Sequence, residues 1–420
     1  MEELKEGWRK VKLGEICNIS SSKRIFMSEY VKNGIPFYRG KEIIEKSLGK
    51  DTSTKLYISE SKYNDIAKKY SVPLKKDILL TSVGTIGVPY LVRDEKFYFK
   101  DGNLTWLNDF KKNIDSYFIY YWLKSKKGQE QIQAITIGST QKALTIENLK
   151  KLELLLPDIK IQKKIISILS SLDEKIELNR KINQNLEETA QTLFKRWFVD
   201  FEFPNEEEKP YKSSGGKMIE SELGEIPERW RVGKLGEIIE INPKENLKKL
   251  EKKIYIEMKC LSETSSIISE YYEREFTGTG TKFKNKDTLM ARITPCLENG
   301  KIGYVNFLED NDIGWGSTEF NILRSQNNIP KELSYFIARS KNFLDYAISN
   351  MNGSSGRQRV NGKILEEYNI VISPENIYKK FGKVSNSIMN QIENNRKEIE
   401  KLQKLRDYLL PRLMSGEISV

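Results

Sequence analysis

The chain of 420 residues contains two copies of one sequence unit, and this duplication limits its possible folds more than any other feature. Five blocks recur in the same order, and their separation drifts only from 222 residues (Trp8 to Trp230) to 216 (Ile176 to Ile392). Chance similarity would not preserve that order, so the chain is predicted to be a tandem repeat. The clearest blocks are WRKVKLGEI at residues 8–16 and WRVGKLGEI at 230–238, SYFI at 116–119 and 334–337, and IELNRK at 176–181 and IENNRK at 392–397.

Each copy begins with a segment that predicts a globular domain of mixed α/β (α+β) class, at residues 1–157 and 230–374. Short apolar and β-branched runs alternate there with Gly, Pro and Asn, the residues that end strands in turns. Between the copies, residues 201–229 are rich in Glu, Ser and Gly and predict a polar connector loop.

Each copy ends in a segment that predicts one long helix, at residues 158–200 and 375–420. Apolar residues recur there in steps of three and four, as in the seam of a coiled coil. Some 40 helical residues span about 60 Å. Antiparallel pairing of the helices would join the two domains through a coiled coil with a pseudo-two-fold axis. The predicted seam residues are Ile165, Ile168, Leu172, Asn179, Leu186, Leu193, Phe381, Ile388, Asn395, Leu402 and Leu409.

A polar residue interrupts each predicted seam near its midpoint, Asn179 in the first helix and Asn395 in the second. Antiparallel helices bring their midpoints together, so these two asparagines are expected to lie close to each other. Buried asparagines fix the register of a coiled coil and reduce its stability. The alternative is that they face solvent or another subunit.

The composition excludes several kinds of catalytic and metal site. The chain has 70 Lys and Arg, 59 Asp and Glu, no His and a formal net charge of +11. Without histidine, no Ser-His-Asp or Cys-His nucleophile and no imidazole-ligated zinc can form. The basic excess predicts an anionic partner, first of all nucleic acid. Three cysteines without a CxxC pattern, and no apolar run near the ~20 residues that cross a bilayer, predict a cytoplasmic protein without a membrane partner.

No catalytic or cofactor motif is complete. Residues 276–280 (FTGTG) resemble the FxGxG loop of adenosylmethionine-dependent amino-methyltransferases, but the (N/D)PP(F/Y) tetrapeptide that holds the target amine in those enzymes is missing. Residues 214–218 (SGGKM) lack the GxxxxGK[ST] pattern of a phosphate-binding loop. The sequence therefore predicts no catalytic residue, no metal and no cofactor on this chain.

The candidates for DNA contact are residues with basic, amide or hydroxyl side chains in predicted loops, because these groups bond to phosphates and base edges. The strongest loop is at residues 353–359 (GSSGRQR). For any single candidate, a solvated surface position is the alternative. The candidates are Lys23, Arg24, Tyr38, Arg39, Lys41, Ser82, Thr85, Gln141 and Lys142 in the first copy, and Lys259, Lys282, Arg292, Thr294, Arg357, Gln358 and Arg359 in the second.

The two copies differ most in the regions that hold many of these candidates. Residues 17–115 and 240–332 hardly align, whereas the flanking blocks match. If the unmatched parts read DNA, the two half-sites differ in sequence, so an asymmetric, bipartite target is expected. A fixed spacer would place the half-sites about one turn of B-DNA (~34 Å), or a multiple of it, apart.

Four segments resemble the specificity subunit of type I restriction-modification enzymes: residues 193–201 (LFKRWFVDF), 211–216 (YKSSGG), 222–230 (ELGEIPERW) and 405–418 (LRDYLLPRLMSGEI). The resemblance covers essentially the whole chain. It implies two target-recognition domains that each read half of a bipartite site in double-stranded DNA. It also implies two modification subunits and restriction subunits as partners, with adenosylmethionine, ATP and magnesium on those partners and no catalytic residue here.

The resemblance further implies that the helices dock the modification subunits, with Arg180, Arg396, Trp197 and Phe198 as candidate docking residues. For the arginines the alternative is a solvated face of the coiled coil. For the two aromatic residues it is packing against the second recognition domain.

Two other functions are weighed against the specificity subunit. A stand-alone DNA methyltransferase or nuclease would need the missing tetrapeptide or a carboxylate cluster. A non-specific nucleic-acid-binding adapter would use the same repeat without reading sequence.

Overall fold

The computed structural model describes residues 6–49, 52, 54–136 and 143–420. The chain divides into two compact units, Met1–Glu177 with Glu400–Val420, and Leu178–Ile399. Each unit holds one mixed domain and a part of each long helix.

The first unit places short strands and helices in alternation. Its helices start where the sequence provides a cap: the Asp115 carboxylate accepts the Tyr117 N–H at 3.0 Å, and the Ser59 hydroxyl accepts the Lys62 N–H at 3.2 Å. The strands are β1 (Trp8–Lys12), β2 (Asn18–Ser20), β3 (Tyr30–Val31), β4 (Ile35–Tyr38), β5 (Tyr57–Ile58), β6 (Ile78–Thr81), β7 (Pro89–Leu91), β8 (Tyr98–Phe99), β9 (Leu104–Asn108) and β10 (Glu153–Pro157), and the helices are α1 (Leu13–Ile16), α2 (Gly40–Ser47), α3 (Glu60–Tyr70), α4 (Ser116–Lys124), α5 (Lys126–Ala134) and α6 (Ile146–Lys150).

Both units contribute residues to the two long helices, α7 (Ile159–Phe198) and α11 (Glu375–Met414). The other elements of the second unit are the strands β11 (Met218–Ile219), β12 (Ile226–Pro227), β13 (Arg231–Lys234), β14 (Ile239–Ile241), β15 (Lys252–Ile256), β16 (Tyr272–Glu275), β17 (Thr281–Lys284), β18 (Thr288–Ala291), β19 (Ile302–Tyr304), β20 (Ile313–Gly316), β21 (Phe320–Ser325) and β22 (Asn369–Ile372), and the helices α8 (Leu333–Arg339), α9 (Lys341–Ser349) and α10 (Gly362–Glu366).

The main sheets of the two units share one strand order, which confirms the predicted tandem α/β duplication. The main sheet has the antiparallel order β2-β9-β6-β7 in the first unit and β14-β21-β18-β19 in the second. A second sheet contains one parallel pair in each, β4 with β8 and β15 with β20. The repeat therefore extends through regions whose sequences hardly align.

One pair of equivalent strands in the two main sheets, β6 and β18, begins in each unit with a turn that contains a buried aspartate. Asp77 and Asp287 each follow a lysine in the left-handed region, Lys76 (φ 77°) and Lys286 (φ 70°). Each carboxylate accepts the backbone N–H three residues earlier, at 2.9 Å for Asp77 and 2.7 Å for Asp287. The same turn thus starts β6 and β18, and both sequences carry Lys-Asp-x-Leu there, at residues 76–79 and 286–289.

Helices α7 and α11 pack antiparallel within each unit, as predicted. In the first unit, Arg406 donates to Asp173 at 2.9 Å. In the second, Asn179 donates to Glu398 at 2.8 Å, and Asn183 donates to the Ile392 carbonyl at 3.1 Å. Rising residue numbers in α7 therefore meet falling numbers in α11.

The predicted Asn179–Asn395 pair is wrong by about one helical turn. The Asn395 side chain donates to Asn183 at 2.8 Å, while Asn179 bonds to Glu398. The prediction placed the pair from helix midpoints. The observed register instead follows two buried asparagines spaced four apart in α7, Asn179 and Asn183, which both bond to α11.

The other predicted seam residues mostly lie in the helix interface or the adjoining cores. The prediction for Ile168 was wrong: its side chain is 38% exposed, because the helix turns the neighbouring Leu169 inward instead. The pattern also missed Phe194 and Met389, which are buried. Of the predicted set, Ile165, Asn179, Phe381 and Asn395 are buried, and Leu172, Leu186, Leu193, Ile388, Leu402 and Leu409 are half-buried.

The predicted polar connector is only partly a solvent-exposed loop. Phe201, Phe203 and Ile226 are buried in the core of the second unit, and the Phe203 ring stacks 5.0 Å from Trp230. Strands β11 and β12 form a short hairpin within the segment. The acidic residues 206–208 are exposed, as their composition suggests.

Within the part of the chain that the structure describes, no helix has both the length and the apolar character that a membrane span requires.

The Asn183–Asn395 pair predicts a measurable coupling in stability. Asn183→Ala leaves the Asn395 NH2 group without its acceptor, and Asn395→Ala leaves the Asn183 carbonyl oxygen without its donor. Each is therefore expected to lower the free energy of unfolding by about 1–3 kcal/mol. The double variant should lose less than the sum of the two. Urea denaturation followed by tryptophan fluorescence measures all three, with exposed Asn394→Ala as the control. Strictly additive losses would contradict a direct pair.

Candidate nucleic-acid interface

The loop after β18 lies against the segment that leads into α10, and this contact gathers five of the predicted DNA-binding residues. Ile293 pairs with Arg359 as an antiparallel bridge, and the Thr294 N–H donates to the Gln358 carbonyl at 3.1 Å. The Val360 N–H donates to the Arg292 carbonyl at 2.9 Å. Residues some 60 positions apart in sequence are thus brought together, namely Arg292, Thr294, Arg357, Gln358 and Arg359.

Glu319 sits between two of these arginines, and we call Arg292, Glu319 and Arg359 the arginine cluster. Arg359 donates to the Glu319 carboxylate from Nη2 at 2.7 Å and from Nε at 2.9 Å. This pairing holds the pKa of Glu319 below its ordinary value. Arg292 Nε lies 3.8 Å from the same carboxylate. Arg359 therefore has one edge occupied and anchors the loop, whereas Arg292 is held more loosely.

Two polar atoms beside the cluster have no hydrogen-bond partner among the described residues. They are Arg292 Nε and Thr294 Oγ1, and both atoms are buried. Buried polar atoms in folded proteins nearly always have a partner, so these two atoms of the loop after β18 are exceptions. Arg357 is exposed on the same loop.

The first copy pairs the equivalent loops. The Leu144 N–H donates to the Ser82 carbonyl at 2.9 Å, and Val83 bridges Ala143. Thr85 is exposed at the turn. Gln141 and Lys142, which immediately precede this pair, lie outside the described residues.

Two first-copy candidates are corrected because their side chains belong to the core. The Ser82 hydroxyl is buried 2.6 Å from the Thr105 hydroxyl. The Tyr38 ring is buried and stacks 4.7 Å from Phe97, and burial raises the pKa of its phenol. Neither hydroxyl is accessible to DNA.

The remaining first-copy candidates are distributed over the second sheet and its loops. Arg39 donates to Glu42 at 2.8 Å at the start of α2. Lys41 pairs with Glu45 at 3.6 Å, and Lys23 lies 4.6 Å from the Tyr70 ring centre. Arg24 pairs with Asp101 at 2.8 Å and lines a surface hollow of about 520 Å³, together with Phe26, Met27, Lys100, Asn103 and Ala143.

Two second-copy candidates lie outside the loop pair, Lys282 on the second sheet and Lys259 in the 3-10 turn after β15. Lys259 is exposed and pairs with Glu257 at 2.7 Å. Lys282 on β17 lies 5.2 Å from the Phe276 ring centre. Phe276 begins the FTGTG segment, and its ring packs edge-on against Trp315.

The loop that follows the first strand of each main sheet was only partly predicted: Lys23 and Arg24 of the first copy were candidates, but the exposed residues described next were not. In the first copy it exposes Phe26 and Met27 beside Arg24. In the second it exposes Lys244, Lys248 and Lys249, which form no ion pair with any described residue, and ends at Leu250, which is 69% exposed at φ 71°. The three lysines within six residues were a readable signal, whereas the two exposed apolar side chains were not.

Of the predicted docking residues, Trp197 is a correction, because its ring is buried 5.8 Å from Phe381 in the core of the second unit. Phe198 is half-buried and stacks 5.6 Å from Tyr378. Arg180 is exposed on α7, and Arg396 donates to the Tyr271 hydroxyl at 3.1 Å. Phe198 also borders a groove of about 1030 Å³ along the end of α7, with Phe194, Val199, Phe336, Tyr346 and Tyr368.

No group of three or more acidic or thiol side chains in the described ranges could hold a metal ion. Cys17 and Cys260 are buried, and burial raises the pKa of Cys17 to about 12.

Comparison with known proteins identifies one family. The family described as "Type I restriction modification DNA specificity domain" matches residues 5–188 and 227–405. The specificity subunit of type I restriction enzyme MjaIX from Methanocaldococcus jannaschii is 29% identical, over 98% of this chain and 93% of the relative. The HindI specificity subunit from Haemophilus influenzae is 26% identical, over 72% and 77%.

A solved structure has the same fold. The S subunit of a type I restriction-modification system from M. genitalium matches with a TM-score of 0.58 at 19% sequence identity, over 99% of this chain and 98% of that one. Since the family pattern covers both copies and most of the sequence, this chain belongs to the type I restriction-modification DNA specificity family.

Proposed function

We propose that this chain supplies DNA sequence specificity to a type I restriction-modification complex, with residues 1–157 and 230–374 as target-recognition domains. The observation that carries the proposal is the loop pair found at the same place in both main sheets. In the second copy it presents the arginine cluster, and in the first the equivalent positions are Ser82, Asn103 and Ala143. One scaffold with two different loop chemistries fits an asymmetric, bipartite site.

The remaining roles belong to partner subunits in this proposal. Two modification subunits bind adenosylmethionine and methylate adenine, and restriction subunits use ATP and magnesium. The chain itself is non-catalytic and acts in the cytoplasm, where it directs both methylation and restriction. The apolar groove beside Phe198, at the end of α7, offers a modification subunit an aromatic surface. Aromatic residues are enriched at the centre of protein–protein interfaces.

Mapping methylated adenines tests the proposal directly. DNA treated with the chain and its modification subunits should carry one bipartite motif with two different halves, and omission of the chain should abolish that motif. The chain alone should transfer no methyl group. Methyl transfer by the chain alone would favour the stand-alone enzyme, and sequence-independent or RNA-preferring binding would favour the adapter.

Arg292 is expected to contact base edges in the second half-site. Arg292→Ala should weaken binding of the assembled complex to its site by about 1–3 kcal/mol and relax base preference in that half-site only. Methylation of a library randomised at every target position measures both. Exposed Arg229→Ala in the connector is the control. Relaxation in the first half-site would contradict the assignment.

The exposed lysines of the loop after β14 are expected to bind phosphates. Lys248→Ala with Lys249→Ala should weaken binding to specific and random DNA alike, because phosphate interactions carry no sequence information. The slope of log K against log salt should become shallower by about 0.9 for each lysine–phosphate ion pair that is removed. Fluorescence anisotropy over a salt series gives this slope, and an unchanged slope would place the two lysines off the DNA.

A further inference from the structure

Glu187 is a buried carboxylate on α7 that accepts from Gln191 of the same helix at 3.0 Å and from two residues outside the helix pair. It is 4% exposed, although charged residues are rarely buried without partners. It accepts the Ser266 N–H at 3.0 Å and the Ser266 hydroxyl at 2.7 Å through one oxygen. Its other oxygen accepts the Tyr335 hydroxyl at 2.5 Å. A helix residue thus holds a loop of the recognition domain and a residue of α8 together.

Arg339, one turn after Tyr335, also bonds to the loop that contains Ser266. Its Nε donates to the Tyr335 hydroxyl at 3.2 Å. Its two terminal nitrogens donate to five backbone carbonyls at 2.6–3.0 Å. These carbonyls belong to Ser262, Glu263, Ser265, Gly300 and Ile302.

The loop held in this way borders β19, the edge strand of the main sheet. Ser262 bridges Ile302, and the Tyr304 N–H donates to the Ser266 carbonyl at 2.9 Å. Strand β19 pairs with β18, which leads directly to Arg292. A continuous series of hydrogen bonds therefore runs from Glu187 to the loop with the arginine cluster.

Helix α11 supports the same face of the sheet. Asn306 donates to the Met389 carbonyl at 3.0 Å. The Arg396 guanidinium lies 5.5 Å from the ring centre of Tyr271, which stacks on Phe307 at 3.9 Å. Recognition sheet and helices are joined by directional polar bonds, which tolerate little sliding.

We propose that Glu187 is a positioning residue: with Ser266, Tyr335 and Arg339 it clamps the main sheet of the second unit to α7 and thereby fixes the spacing at which the second half-site is read. This inference rests on the proposed function. In it, the clamp prevents the recognition sheet from shifting on α7, a shift that would let the complex accept a neighbouring half-site spacing.

Hydrogen exchange of the full chain tests the clamp without any assay of function. Glu187→Gln keeps the shape but turns a hydrogen-bond donor toward Ser266 or Tyr335. The amides of Ser266 and Tyr304 should then exchange at least about tenfold faster, since a tenfold change corresponds to the loss of roughly one hydrogen bond. Exposed Glu174→Gln on the same helix should leave them unchanged. Unchanged exchange in Glu187→Gln would overturn the clamp.

The preference of the complex for one half-site spacing tests the functional consequence of the clamp. The complex with modification subunits is given DNA whose half-sites stand at the native spacing or one base pair closer or farther apart. The ratio of methylation rates, native over altered, should fall about tenfold in Glu187→Gln and stay at the wild-type value in Glu174→Gln. An unchanged ratio in the folded variant overturns the proposal.

Milder variants cover the case in which Glu187→Gln fails to fold. Tyr335→Phe and Ser266→Ala each remove one hydroxyl donor, and both should move exchange and spacer ratio in the same direction. If neither variant moves either quantity, the proposal is overturned. If the wild-type complex methylates no specific site, the proposed function fails, and hydrogen exchange still decides the clamp.

Discussion

The structure depends on three polar side chains buried along one face of α7. Asn179, Asn183 and Glu187 follow one another at intervals of four residues, and each has a specific partner. Apolar seams allow a helix to slide by a turn with little loss, whereas a buried amide or carboxylate that loses its partner is strongly penalised. Asn183 therefore fixes α11, and Glu187 fixes the recognition sheet. Register and domain attachment come from one stripe of a single helix.

Much of this architecture could be predicted from the sequence, because it depends on patterns that are local or repeated. The duplication, the mixed domains and the two long helices follow from recurring blocks and from apolar spacing. The exact register could not be predicted, since it depends on which polar residue meets which across the helix pair. The wrong prediction of Ile168 as a seam residue has the same origin. Spacings of three and four residues allow either Ile168 or Leu169 in the seam, and packing against α11 buries Leu169.

The candidate site was harder to predict, because residue type does not reveal burial. Ser82 and Tyr38 have suitable side chains, but strand packing takes them into the core. The loop at residues 353–359 was recognised from its arginines, yet nothing in the sequence connects it with Arg292 or shows that Glu319 occupies one edge of Arg359. Such pairings follow from sheet topology, which brings together segments that are distant along the chain.

The turn that starts β6 and β18 has a consequence for how such proteins diversify. A left-handed lysine and a buried aspartate close the turn before the strand, by a bond to the chain's own backbone. Each aspartate also accepts from the neighbouring strand, Asp77 from Trp106 Nε1 at 2.8 Å and Asp287 from Arg324 at 2.6 Å. None of these bonds involves the loop at the far end of the strand, so that loop can change sequence without disturbing them. Exchange of DNA between genes at the flanking blocks that recur in both copies would transfer a whole recognition domain, so new targets can arise by recombination as well as by point mutation.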